Sequence, residues 1–143
     1  PVHVGFDEPL TTSDGGALLL KALDDKLGIT ETIGAYLSDS REPSKLRHTP
    51  LDVIRHRVFA LALGYPDAND ANRLADDPMH KLQLDRDPVT GDRLPSQSTI
   101  SRFENSIRGS DLMRIGLSLV DTLFAWQSQV RRRKRVKRVT IDL

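Results

Sequence analysis

The sequence predicts a mainly α-helical body that runs, at its end, into one β-strand. Three observations predict it. Apolar residues make up 38% of the chain but aromatics only 5%, so the core must rest on Leu, Ile, Val and Ala, and Leu and Ala favour helix. Helix start and stop signals recur along the chain, among them Thr49-Pro50, Asp77-Pro78, Gly28 and Gly64. Strand-like alternation of β-branched and polar residues is convincing only over Val136 to Leu143.

A chain of 143 residues fits one ordinary domain and can bury a real core. The absence of cysteine rules out disulfides and thiolate metal sites and fits a reducing cytoplasm, the location expected for it. No apolar run approaches the roughly 18 residues that span a bilayer, so no membrane partner is expected. Pro1-Val2-His3-Val4 lacks a basic stretch followed by an apolar one, so it is not expected to be a signal peptide. Without an initiator Met, the numbered chain is expected to begin inside a longer one.

Taken in order, the stretch to about Asp7 is short and β-leaning. Thr11-Thr12-Ser13-Asp14 offers N-cap residues for a helix to about Leu27, closed by Gly28. Leu19, Leu20, Leu23 and Leu27 share one face of it, with Lys21 and Asp25 opposite. Thr30 is placed to cap a shorter helix through Ile33 and Leu37, and Asp39 to His48 reads as a charged loop. Thr49-Pro50 is a capping hydroxyl followed by Pro at the first helical position. The helix behind it, Leu51 to Leu63, is apolar on nearly every side, so it is expected to be the central buried one; Arg55, His56 and Arg57 within it each need a partner or a route to solvent.

Asp67-Ala68-Asn69-Asp70 begins a helical turn or two through Leu74, and Asp77-Pro78 restarts the chain into a short segment ending near Leu84. Asp85 to Leu94, with Pro88 and Gly91, reads as a turn, a loop or a small hairpin. Pro95-Ser96 opens a helix to about Ile107, and Gly109-Ser110-Asp111 caps the longest one, to about Val130. The apolar residues of this last helix cover a wide arc, which predicts deep packing.

The formal net charge of +1 hides an asymmetry. Residues 131 to 138 read Arg131-Arg132-Arg133-Lys134-Arg135-Val136-Lys137-Arg138, seven cations without an acid; removing them leaves about −6 for the rest. Such a run self-repels unless phosphate neutralises it, which points to nucleic acid. A solvated helix end and a plain linker are the alternatives. Sequence specificity would not come from this run.

A candidate for specificity is the helix that Pro95-Ser96 opens. At 100° per residue, Ile100, Phe103 and Ile107 form one stripe, and Ser98, Ser101, Arg102 and Asn105 gather opposite. Arg and Asn can make bidentate contacts to guanine and adenine edges, and Ser can reach phosphate or base. The pattern suits the second helix of a helix-turn-helix, although the loop before it is too long for the usual tight turn. An amphipathic helix with an ordinary wet face is the alternative.

On the terminal strand, Val139, Ile141 and Leu143 point one way, and Arg138, Thr140 and Asp142 the other. A carboxylate on a rigid strand can hold a hard cation such as Mg²⁺, but one carboxylate is not a metal site. His3, His48, His56 and His80 show no ligand spacing and read as structural or surface residues. No Gly-rich phosphate loop or Ser nucleophile elbow is present.

The segments that follow one another along the chain resemble the N-terminal part of DDE group-1 insertion-sequence transposases, the thirteen-eighty family. They are Phe6 to Leu10 leading into Thr12-Ser13-Asp14-Gly15-Gly16; Arg55 to Gly64-Tyr65; Asp67-Ala68-Asn69-Asp70 to Asp77-Pro78; Pro95-Ser96-Gln97-Ser98-Thr99 to Glu104-Asn105; and Val139-Thr140-Ile141-Asp142-Leu143. The resemblance implies a helical DNA-binding domain over residues 1–130, a basic linker over 131–138, and over 136–143 the first strand of a truncated RNase H-like domain.

It implies double-stranded DNA, the transposon's terminal inverted repeats, as partner, and it leaves room for a homodimer of the full-length enzyme. Asp142 aligns with the first catalytic, metal-binding acid of the triad. The Mg²⁺ ions of the full-length enzyme, held roughly 3.5–4 Å apart in two-metal phosphoryl transfer, need two further acids that would lie beyond Leu143. The chain alone is therefore expected to bind DNA without holding metal stably or catalysing. Ala75 departs from the pattern, standing where relatives commonly place a basic residue, with a weakened local ion pair as the expected result. Two other readings fit the residues: a DNA-binding regulator that occupies transposon ends and inhibits transposition, and a helical protein-interaction domain whose basic tail meets an acidic partner.

Overall fold

The structure, a computed structural model, describes residues 11–37 and 47–131. Seven helices occur within them: α1 (Ala17–Leu27), α2 (Ile29–Ala35), α3 (Pro50–Ala62), α4 (Asp70–Leu74), α5 (Pro78–Gln83), α6 (Gln97–Ser106) and α7 (Gly109–Arg131). No strand occurs among the described residues, and the chain is mainly α as expected. The strand expected over 136–143, with Asp142, lies outside the described residues, as do His3 and most of the charged loop at 39–48.

The fold is organised by α3. Its start is fixed locally: the Thr49 hydroxyl accepts the Asp52 N–H at 3.1 Å, and the Asp52 carboxylate accepts the Thr49 N–H at 2.9 Å. With Pro50 at the first position, this is a complete capping box, a device worth about 1 kcal/mol. Beyond the cap, Val53 and Ile54 pack with Ala71, Ile100 and Phe103, which joins α3 to α4 and α6. One turn on, Phe59 packs with Ala75, Leu84 and Leu94. The helix ends at Gly64, whose φ of +92° only glycine adopts without cost.

Helices as short as α4 and α5 are marginal in isolation; α4 persists here through burial of Ala71 and Leu74, and α5 through burial and its cap. The Asp77 carboxylate accepts the Met79 and His80 N–H groups at 2.8 and 3.1 Å, with Pro78 behind it. The segment after α5 is a packed turn and not a hairpin. Asp87 accepts the Val89 and Thr90 N–H groups, Gly91 donates to the Asp87 carbonyl, and the Leu94 N–H reaches the Ala75 carbonyl at 2.9 Å. Arg86 straps this turn to α3 by donating to the Asp92 and Arg93 carbonyls, to Asp52 and to His48 Nδ1.

Four expectations need correction. The first concerns α1, which begins at Ala17 behind Gly16 with no side-chain cap. Its buried positions are Ala17 and Asp24, while Leu19 is 76% exposed. The stripe that docks runs through Ala17, Leu20, Lys21 and Asp24, because polar partners on α2, on α3 and at Asp85 draw the charged residues inward. Lys21, expected on the opposite face, lies half-buried 2.7 Å from Asp85.

Second, Thr30 does not cap α2. It sits within the helix, wholly buried, and both its N–H and its hydroxyl donate to the Asp24 carboxylate. Third, Ala75, read as a departure from a basic position, is a fully buried core residue packed with Phe59, Leu84 and Leu94. Fourth, α7 is not deeply packed. It lies against α2, yet Leu112, Met113, Leu117, Val120, Leu123, Phe124, Trp126 and Val130 are all exposed.

Candidate nucleic-acid interface

The helix singled out for recognition is held rigidly. Ser96 takes the extended N-cap conformation but turns its hydroxyl to Ser98 and Thr99. The first free N–H of α6, on Gln97, is met instead by Asn72 Oδ1 of α4 at 3.1 Å. Ile100 and Phe103 are buried against α3 and Ala71, and Ile107 packs beside them, as the stripe predicted. The last turn ends where Ile107 adopts an extended conformation.

The opposite face is the predicted polar one. Ser98, Arg102 and Asn105 are exposed, and Ser101 is half-buried, its hydroxyl accepting from Gln97 Nε2 at 3.0 Å. Arg102 lies along its own helix, donating from Nε to the Ser98 carbonyl at 3.0 Å. Among the described residues its guanidinium meets no carboxylate, so its charge is available to a ligand. The nearby acid, Glu104, is neutralised by Arg57 Nε at 2.8 Å, and the same guanidinium donates to the Pro66 carbonyl at 3.0 Å. That ion pair also answers the question the sequence left at Arg57.

Beside the amino-terminal end of α6 stand two further exposed cations that sequence reasoning missed. Arg73 on α4 lies with its guanidinium 5.2 Å from the Tyr65 ring centroid and 3.5 Å from Asp70. Arg93 pairs with Asp76 at 3.1 Å and donates to the Asn72 carbonyl. Neither carries a periodicity or motif signal; Arg93 precedes the N-cap of α6 by three residues, and the packing of Asn72 onto Gln97 brings Arg73 to the same end. Of the expected basic run, Arg131 is the last residue of α7. Arg132, Arg133, Lys134, Arg135, Lys137 and Arg138 lie outside the described residues, so their relation to α6 does not enter the geometry.

The histidines within the described residues are structural, as expected. His80 is wholly buried and its Nε2 lies 3.1 Å from Asp14, whose carboxylate also accepts from the Tyr65 hydroxyl. Burial works against ionisation of Asp14, but the hydrogen bonds from His80 and Tyr65 prevail and hold its carboxyl below the usual range. The cluster ties the turn before α1 to α5 and to the chain behind α3. His56 packs edge-on against His80 with ring centroids 6.0 Å apart. It is wholly buried, and neither ring nitrogen makes a hydrogen bond of good geometry. Burial, with His80 alongside, pushes its pKa down to about 4, although the nearby Ala71 backbone opposes the shift. Burial and the Arg86 charge likewise lower His48.

Among the described residues no three His, Cys, Asp or Glu side chains come together in a group that could hold a metal ion. Within the same residues, no helix is long and apolar enough to cross a membrane.

The chain matches the family described as transposase DDE domain, group 1, over residues 1–143. No curated protein and no solved structure matches the chain.

Proposed function

We propose, because the chain belongs to the transposase DDE domain group 1 family, that its helical body binds the double-stranded DNA ends of an insertion sequence, with α6 reading base edges. The observation that carries the reading is the outward face of α6. It presents Ser98, Arg102 and Asn105 to solvent, its acid Glu104 is neutralised by Arg57, and its first turn is tied to α4 through Asn72. A rigid helix offering Arg and Asn suits bidentate contact with guanine and adenine in the major groove. Arg73 and Arg93 flank it as phosphate contacts, which position the duplex without specifying sequence.

In this reading residues 1–130 are the DNA-binding domain of a bacterial element of the thirteen-eighty type, working in the cytoplasm. Residues 131–138 are a basic linker that adds phosphate contacts, and 136–143 form the first strand of an RNase H-like domain. Full-length DDE transposases use divalent metal; we assign Asp142 as this chain's ligand to it and Mg²⁺ as the ion.

The test is a titration of the chain with labelled insertion-sequence ends at several salt concentrations. Preference for terminal repeats over random duplex is expected, with log affinity falling by roughly 0.9 per contacted phosphate against log salt. Affinity that neither prefers the repeats nor depends on salt would overturn the reading and favour a protein-interaction domain.

A further inference from the structure

Gln97 is the first residue of α6, and it is held at both its backbone and its side chain. Its N–H donates to Asn72 Oδ1 on α4 at 3.1 Å, and its Nε2 donates to the Ser101 hydroxyl, one turn along, at 3.0 Å. Gln97 and Ser101 are half-buried, and their chain neighbours Ser98 and Arg102 are exposed. A primary amide carries two N–H donors and one carbonyl acceptor. With one N–H engaged by Ser101, the second N–H and Oε1 remain, and no group among the described residues donates to Oε1.

We propose that Gln97 is a specificity-determining residue that reads one adenine in the major groove. Its remaining N–H donates to adenine N7, and Oε1 accepts from the adenine N6 amino group. The assignment rests on the reading of α6 as the helix that enters the groove, and it adds to that reading a contact residue and the base it recognises. The chemistry selects adenine: N7 and the N6 amino group are one acceptor and one donor, the complement of what Gln97 has left. Guanine offers two acceptors there, N7 and O6, so Oε1 would face a lone pair.

Position selects Gln97 over a residue further along. In a recognition helix the first turn meets the base edges, whereas Asn105, in the last turn, lies about 12 Å further along the axis. The flanking cations gather at the same end. Arg93 donates to the Asn72 carbonyl at 3.3 Å, and Asn72 is the residue that holds the Gln97 N–H. Phosphates met by Arg93 and Arg73 therefore bring the groove to the first turn. Fixing a long side chain on binding ordinarily loses rotamer freedom; the bond to Ser101 removes part of that cost before DNA arrives. Ser101, expected to touch DNA itself, becomes a positioning residue that aims Gln97.

Competition binding of the whole chain to insertion-sequence ends tests the assignment, with 7-deazaadenine replacing one adenine in each duplex. The modified base lacks the N7 acceptor and keeps its pairing edge. At one adenine the unaltered chain is expected to lose about 5- to 10-fold in affinity, a share of the discrimination of a bidentate pair. Gln97→Ala should bind the unmodified end about 10-fold more weakly and stop responding at that adenine, while responses elsewhere persist. Gln97→Glu is close to isosteric and accepts from Ser101 but has no N–H to donate. It should lose the same response, so a folding defect in the alanine variant does not decide the outcome. Ser101→Ala should keep the response with weaker affinity; unchanged affinity would overturn its aiming role. If the unaltered chain prefers the ends but every 7-deazaadenine penalty survives both Gln97 substitutions, the assignment to Gln97 is overturned and α6 keeps its reading role. If the unaltered chain shows no preference for the ends, the reading of α6 falls and the assignment falls with it.

Discussion

Arg57 on α3 reaches Glu104 on α6 at 2.8 Å, and this pair ties α6 to α3 while neutralising an acid on the polar side of α6. It lies between the two helices whose residues Val53 and Ile54, and Ile100 and Phe103, share one core cluster. Both side chains keep some solvent contact, which limits the energy of the pair itself. In a double-mutant cycle with Arg57→Ala and Glu104→Ala, a coupling of about 0.5–1 kcal/mol in unfolding free energy is expected. Arg57→Ala alone leaves Glu104 unneutralised and should weaken DNA binding at low salt more than Glu104→Ala does. Equal loss from both substitutions would separate the pair from the DNA face.

Arg102→Ala and Asn105→Ala are expected to lower discrimination between terminal repeats and random duplex, each by about 1–3 kcal/mol, with nonspecific affinity mostly kept. Both side chains are exposed and neither supports the core, so folding should be unaffected. Competition binding measures the ratio directly. A parallel drop on both kinds of DNA would remove α6 from the reading role.

Replacing the cations at 131, 132, 133, 134, 135, 137 and 138 by Gln is expected to flatten the dependence of affinity on salt while leaving end preference unchanged. The slope of log affinity against log salt is the readout. A slope identical to that of the unaltered chain would exclude the run from the interface.

His56 makes stability depend on pH. Its pKa, about 4 in the fold against 6.5 as the ordinary value, means that the unfolded chain takes up a proton which the fold refuses. The neutral state is therefore fully stable above about pH 6.5, and stability falls as pH drops through 4, by about 3 kcal/mol in all. His48, also lowered, acts in the same direction. Urea midpoints measured between pH 7.5 and 4 should decline accordingly and decline less in His56→Phe. A flat profile would show that His56 is not buried as a neutral ring.

Gly91→Ala should destabilise the turn behind α5. A Cβ there would lie 2.3 Å from the Asp87 carbonyl oxygen and 2.9 Å from its nitrogen, backbone atoms that cannot move without breaking the Asp87 turn. A cost of about 1–3 kcal/mol in thermal or urea unfolding is expected. Because Arg86 ties the same turn to His48 and Asp52, the variant should also loosen the start of α3, visible as faster amide exchange there.

The sequence by itself determined where the helices lie. Thr49-Pro50, Asp77-Pro78, Gly28 and Gly64 act within a few residues, through caps and φ angles, and the structure places helix ends at each of them. It also determined the two faces of α6, because Ile100, Phe103 and Ile107 share a stripe wherever the helix docks. Only the tertiary structure decided what each face meets. Periodicity states which side chains point the same way, not whether anything covers them, so Leu19 and the stripe of α7 stand open while Asp24 goes inside to serve Thr30 and Arg55. Partners distant in the chain were equally invisible: Arg57 and Glu104, Asp14 and His80, and Asn72 and Gln97 meet only after the core has formed. Local signals act through short-range geometry, whereas burial and charge pairing belong to the packed whole.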